Sequence, residues 1–266
     1  RITNLIEGDG DGITVDDMIA IQTDNQSLSA LEIIPYLKEL SFDDPAVAAG
    51  RDRLLGWDAQ MKMDSPEAAL FNIFWKHLLS DTYTDQLPAI FRPSGSHEIS
   101  DAMYFLLQQP GKAWWDQLDS NEALETRDDV LKSSFEAAYA EGLERFGADL
   151  NQWRWGDLHT IFYRHATLGR SGIKLIEDIF NRGPFPTNGS ESVPQKTCWN
   201  ATRGYEVTCI PALRQVIDLG NLGNSRMIHS LGQSGHPLHP TYDHFIDDWR
   251  NFRYHASNWE RQQVEG

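Results

Sequence analysis

The sequence predicts an α+β fold in which residues 1–180 are mainly helical and residues 181–266 form a loop, a β-hairpin and a final helix. Three observations lead there. Capping signals followed by apolar residues at helical spacing recur before residue 180. Within residues 211–243 two apolar runs flank Gly220-Asn221-Leu222-Gly223-Asn224, residues that tolerate the positive φ of a short reversal. Beyond the runs, Tyr242, Phe245, Ile246, Trp249 and Phe252 fall at i, i+3, i+4, i+7 and i+10, an apolar stripe that requires a partner surface. The hairpin just before it is the expected partner.

Taken in order, residues 1–6 lead into Glu7-Gly8-Asp9-Gly10-Asp11-Gly12, too glycine-rich for an element interior. The acidic loop invites a calcium reading, but the calcium-hand template needs Gly at its sixth position and Glu at its twelfth. Counted from Asp9 these positions hold Thr14 and Ala20, so a solvated turn is the preferred reading. Thr14 and Asp17 have capping-box spacing and open a helix through Ile19 and Ile21, which Asn25-Gln26-Ser27 interrupts. A second helical stretch runs through Leu31, Ile34 and Leu37. Asp64 and Glu67 have the same spacing, with Pro66 where a missing N–H is tolerated, and the helix continues through Leu70, Phe71, Phe74, Trp75 and Leu78. Such an aromatic stripe reads as core.

Residues 85–97 read as a loop broken by Pro88, Pro93 and Gly95, and residues 101–108 as a short helix. Thr126 and Asp129 cap the longest helix, whose Leu131, Phe135, Ala138, Gly142 and Phe146 share a face, and Gly147 stops it. Residues 151–169 are rich in aromatics around His159, for which a hydrogen-bonded structural role is preferred over catalysis. Residues 171–180 carry a short apolar run, and residues 183–189 form a loop. Residues 207–219 are then expected as one strand pairing with residues 225–231, and the chain must turn at residues 232–237, where two glycines and Pro237 break the ladder. Cys198 and Cys209 could close a small loop or remain two buried thiols. Asn188-Gly189-Ser190 and Asn200-Ala201-Thr202 fit the glycosylation sequon, which has meaning only in a eukaryotic secretory context.

A chain of 266 residues can bury a large core as one big domain or two small ones, and nine tryptophans mark it as globular. A formal charge of −16 argues against nucleic acid and anionic membrane surfaces as partners. No run of 18 or more apolar residues exists, so no membrane span is expected. The first residue is Arg1 and no signal-peptide pattern follows, as expected of a processed precursor or a piece of a longer chain.

Two local patterns suggest chemistry. His236, His239, Asp243 and His244, with His229 nearby, are residue types that bind zinc, but their spacing is irregular and interrupted by Pro237 and Pro240, so no metal site is expected. Ser234 in Gly232-Gln233-Ser234-Gly235 has the look of a nucleophile turn, yet His236 stands where the second glycine of that motif belongs.

Gly223-Asn224-Ser225-Arg226, then Gly232-Gln233-Ser234-Gly235-His236-Pro237 with Tyr242, then the aromatic stripe resemble the end of the β subunit in the penicillin acylase (penicillin amidase) family of N-terminal-nucleophile hydrolases. Leu55-Gly56-Trp57-Asp58 with Ser65-Pro66-Glu67-Ala68, the segment from Trp153 through Trp155 and His159 to Thr160, and Gly183-Pro184-Phe185-Pro186 resemble further landmarks in the family's order. The resemblance covers essentially the whole chain and implies a C-terminal portion of a β subunit, contributing to a four-layer αββα sandwich.

It also implies a mechanism. The free N-terminal Ser of the β subunit attacks an amide, its own α-amine acting as base through water, and an oxyanion hole with an Asn side chain stabilises the intermediate. The nucleophile, that Asn and the calcium ligands of the complete enzyme are expected upstream of these residues, so this chain alone is expected to be inactive. Arg1-Ile2-Thr3 resembles an arginine-led stretch that borders the family's active site, making Arg1 the one candidate site residue; the alternative is an ordinary residue at a frayed terminus. The implied partners are the remaining acylase polypeptide carrying the Ser and an N-acyl small molecule such as a β-lactam, in the periplasm or outside the cell. An acyl-homoserine-lactone acylase segment and a non-catalytic scaffold or binding module are the alternatives.

Overall fold

Both threonine capping boxes close as hydrogen-bonded rings in the computed structural model, which describes residues 1–8, 10, 12–118 and 124–259. Asp17 N donates to Thr14 Oγ1 at 3.2 Å while Thr14 N donates to Asp17 Oδ2 at 2.8 Å. Thr126 and Asp129 repeat the arrangement. The elements in chain order are α1 (Ile2–Gly8), α2 (Val15–Gln22), α3 (Leu28–Ile33), α4 (Pro45–Leu55), α5 (Pro66–Tyr83), α6 (His97–Leu107), α7 (Arg127–Phe146) and α8 (Trp155–Leu158). They continue with β1 (Thr160–Tyr163), α9 (Lys174–Phe180), β2 (Arg182–Pro186), β3 (Cys198–Asn200), β4 (Gly204–Cys209), β5 (Leu213–Val216), β6 (Arg226–His229), α10 (Ile246–Arg250) and β7 (His255–Ala256). The mixed composition, helices first and antiparallel strands late, matches the α+β expectation.

The chain divides into two compact units. The helical unit comprises Asn25–Thr160 and Pro186–Thr208. Its centre is α5 against α7, where Leu70, Phe74, Leu78, Leu131, Phe135 and Ala138 are buried. Phe135 meets Phe42 and Phe74 with ring centroids 5.3 and 5.5 Å apart, the offset geometry aromatic pairs prefer. The N-cap of α5 is Ser65, one residue later than the spacing of Asp64 suggests. Ser65 Oγ accepts from Ala68 N at 3.0 Å, and Pro66 occupies the first helical position, where no N–H is needed. Gly142 of α7 is required by packing, since a Cβ there would lie 2.0 Å from the Trp153 ring. Gly147 ends α7 at φ +84°. The expected loop over residues 183–189 is instead opened by strand β2 at Arg182–Pro186, and the expected turn from Glu7 begins only after α1 ends at Gly8. Helix α4 with its Asp44 cap was not expected, and α6 starts four residues earlier than expected.

The second unit comprises Arg1–Asp24, Ile161–Phe185 and Cys209–Gly266. Its three-stranded sheet runs β5-β6-β7, with β5 and β6 antiparallel in the register Leu213↔His229 to Val216↔Arg226. A 3-10 turn at Leu222–Asn224 makes the reversal expected there, but without the positive φ anticipated at residues 220–224. The expected strand over residues 207–219 is two strands in different sheets: β4 pairs with β3, and β5 starts only after Pro211, which has no N–H to donate to a ladder. The final helix is also shorter than its stripe. Gln233 N and Ser234 N both donate to Thr241 O, folding residues 232–241 onto themselves, and only Ile246–Arg250 is helical. Trp249 and Ile246 are nevertheless buried, and α10 packs on β6, so the sheet is the partner the stripe required. Cys198 and Cys209 are disulfide-bonded, which decides between the two readings of that pair.

Candidate functional site

Arg1 stands at the head of α1, where its carbonyl accepts from Leu5 N at 3.1 Å. Its guanidinium grips the carboxylate of Asp24 at two points, Nε to Oδ1 at 3.0 Å and Nη2 to Oδ2 at 2.7 Å. The hydrogen bonds to Asp24, aided by its charge, raise the arginine above its ordinary pKa against the opposing effect of burial. The parallel two-bond fork is the arrangement in which arginine recognises a carboxylate. The fork of Arg1 is thus occupied by the protein's own acid. No sequence signal identified Asp24, because the pair joins residues 23 positions apart.

His159 has the structural role the sequence suggested. It is fully buried, its ring stacked on Trp155 with centroids 4.5 Å apart. Nδ1 lies 2.9 Å from Tyr205 O, a group that can only accept, so Nδ1 carries the proton of the neutral ring, and Nε2 faces Thr197 Oγ1 at 2.8 Å. Burial lowers its pKa to about 4 despite these bonds. Trp155 Nε1 donates to Gly189 O at 3.0 Å, and Trp153 packs against Tyr139 and Phe146. The tryptophan-rich segment thus serves packing.

The histidine-rich stretch is committed to local turns. His236 Nδ1 accepts from Leu238 N, His239 Nδ1 accepts from Thr241 N, and Asp243 is ion-paired with Arg182. His229 sits in β6 opposite Leu213. Ser234 Oγ accepts from His236 N at 3.1 Å, a bond within its own loop. Among the described residues no three His, Cys, Asp or Glu side chains converge as a metal site would require. Asp9 and Asp11 of the acidic loop lie outside the described residues.

A charge centre that the sequence did not reveal lies in the helical unit. Glu141 of α7 meets His77 Nε2 at 2.7 Å and Lys76 Nζ at 3.4 Å through Oε2, and Arg145 Nε at 2.7 Å and the Tyr205 hydroxyl at 2.8 Å through Oε1. Burial works to raise its pKa, but the hydrogen bonds from His77, Tyr205 and Arg145 outweigh it and hold the carboxyl well below the usual range. Lys76 and Arg145 also lie 4.9 and 5.3 Å from the Tyr205 ring centroid. Every oxygen of this acid is used, so it reads as a structural clasp. In the other unit an open groove of about 730 Å³ is lined by Ile13, Val15, Met18, Val216, Ile217 and Arg226 among others; Arg1 is not among its lining residues.

These features define a mixed helical and antiparallel framework in which Arg1 is held by Asp24 and His159 is buried in a hydrogen-bonded packing role. The penicillin amidase family model matches residues 1–266, and the chain belongs to that family. It is similar to the acyl-homoserine lactone acylase QuiP of Pseudomonas aeruginosa, 27% identical over 230 residues that cover 80% of this chain and 27% of that protein. QuiP of Pseudomonas fluorescens is 27% identical over 270 residues, covering 93% of this chain and 32% of the relative. The penicillin acylase 2 proenzyme of Pseudomonas sp. strain SE83 is 26% identical over 234 residues, covering 86% and 29%. The chain therefore spans about a quarter to a third of the length of these relatives. Among solved structures, the thermostable penicillin G acylase from Alcaligenes faecalis in its orthorhombic form superposes with a TM-score of 0.49 at 12% identity, covering 99% of this chain and 50% of that one.

Proposed function

We propose that these residues are the C-terminal portion of the catalytic subunit of an acylase that hydrolyses the amide of an N-acyl small molecule. The observation that carries the reading is the family match along the entire chain. On this reading a Ser at the N-terminus of the subunit, outside these residues, attacks the amide carbonyl. The C–N bond breaks, the amine leaves with a proton, and water hydrolyses the acyl ester to a carboxylic acid and the regenerated hydroxyl. Arg1 borders that site, and Asp24 sets the orientation of its guanidinium. On this reading any calcium ligands of the complete protein lie in the segments that precede these residues. The disulfide supports a periplasmic or secreted location, where such bonds persist. The αββα sandwich would be completed by the preceding polypeptide.

Relatives named acyl-homoserine lactone acylase make a long-chain N-acyl-homoserine lactone the first substrate to test, with penicillin second. The test is amine release by the full-length protein from each compound. Release from either supports the reading and ranks the substrates; no release from either, by folded protein with an intact N-terminal Ser, overturns it.

A further inference from the structure

Strand alternation places Arg214 of β5 on the buried face together with Val216, opposite Ile228 of β6. Its side chain is 5% exposed, and its guanidinium lies 3.8 Å from the Trp249 ring centroid and 4.9 Å from that of Phe252. Nη1 donates to Trp249 O at 2.8 Å, but Nη2 is buried and meets no hydrogen-bond partner among the described residues. The Tyr163 hydroxyl and Trp249 Nε1 are buried donors in the same condition. Tyr163 lies within electrostatic reach of both Arg214 and Arg250, and Arg214 also feels the Tyr163 and Tyr254 phenols. The Tyr254 hydroxyl is already committed to Gln22 Oε1 at 2.7 Å.

A buried guanidinium without a counter-charge is a costly arrangement, and orphaned buried donors are rare enough to call for an acceptor. Trp249 and Phe252 lie against the guanidinium and Trp249 O occupies one amino group, which leaves Nη2, like the Tyr163 hydroxyl, without a partner among the described residues. We propose that Arg214 and Tyr163 form a carboxylate-binding site, in which a two-oxygen anion accepts from Nη2 and from the tyrosine hydroxyl. A carboxylate suits that pair because it is planar and presents two oxygens to a guanidinium edge. Its source is either an Asp or Glu side chain elsewhere in the protein or a free carboxylate from solution. The slight exposure of Arg214 favours the side chain.

An experimental structure of the full-length protein, combined with acetate titration of wild type, Arg214→Lys and Tyr163→Phe, tests the proposal. An Asp or Glu oxygen within about 3 Å of Nη2, with no acetate binding, supports it and identifies the internal source. Acetate binding that weakens about tenfold or more in both variants, with no such side chain, supports it and identifies a soluble ligand. Nη2 meeting only water or a backbone carbonyl, with acetate binding absent or equal in all three proteins, overturns it. These readouts do not depend on amide hydrolysis, so they stand apart from the outcome of the acylase test.

Discussion

Arg1 and Asp24 form a two-point ion pair, Nε to Oδ1 at 3.0 Å and Nη2 to Oδ2 at 2.7 Å, that ties the residue just before α1 to the acid just beyond α2. If Arg1 borders the acylase site, its orientation is the contribution of Asp24. Arg1→Lys keeps the charge and loses the fork; Asp24→Asn keeps the shape and loses the charge. Each is expected to change stability by no more than about 1 kcal/mol, the pair being partly solvated. Each should lower kcat/KM of the complete protein about tenfold. Unchanged kinetics in both variants would remove Arg1 from the site.

Folding stability should fall in acid through His159. An unfolded chain protonates this histidine near pH 6.5, whereas burial holds it neutral down to about pH 4. The unfolded state therefore binds more protons in that window, and stability drops as pH falls from 6.5 to 4, by about 3 kcal/mol in all, and is level above 6.5. Urea unfolding of wild type and His159→Gln at pH 7, 5 and 4 reads this. A wild-type slope that the substitution leaves in place would assign the acid sensitivity elsewhere.

Glu141 acts in a lower window. Its folded pKa is depressed below 4.5, so its contribution is complete above that pH and is lost as pH falls further. Glu141→Gln is expected to destabilise by about 1–2 kcal/mol at pH 7, after allowance for solvent screening, and to flatten the stability profile below pH 4.5. An unaltered profile below that pH would argue against the clasp.

Gly142→Ala sets two effects of opposite sign against each other. Helix propensity favours alanine by about 1 kcal/mol, whereas a Cβ 2.0 Å from the Trp153 ring forces repacking that costs about 1–3 kcal/mol. Net destabilisation, read as a lower denaturation midpoint, is the expected result; a gain in stability would mean that Trp153 moves aside freely.

Replacing Cys198 and Cys209 together by Ser should lower stability by about 3 kcal/mol, the loop-closure value for a loop of this size. A reductant should lower the wild-type melting temperature to that of the double variant and leave the variant unmoved.

Much of the helical structure was legible because its signals are local. Thr14 with Asp17 and Thr126 with Asp129 lie three residues apart, so spacing alone located both helix starts. The strand over residues 207–219 and the length of the last helix were misjudged because periodicity does not show where a chain changes sheets or folds back. Pro211 divides the first, and the hydrogen bonds from residues 233 and 234 to Thr241 shorten the second. The site was the least legible part. Asp24, Glu141 and Arg214 acquire their meaning from residues 23, 64 and 35 positions away, at separations where no motif operates.

The central claim is that these residues support an N-terminal-nucleophile hydrolase whose attacking Ser lies outside them. Intact mass and N-terminal sequencing of every polypeptide in an active preparation test it most directly. The expected result is a polypeptide that begins with Ser, whose blocking at the α-amine abolishes amide hydrolysis. Full activity in a preparation with no chain beginning in Ser, Thr or Cys would contradict the account.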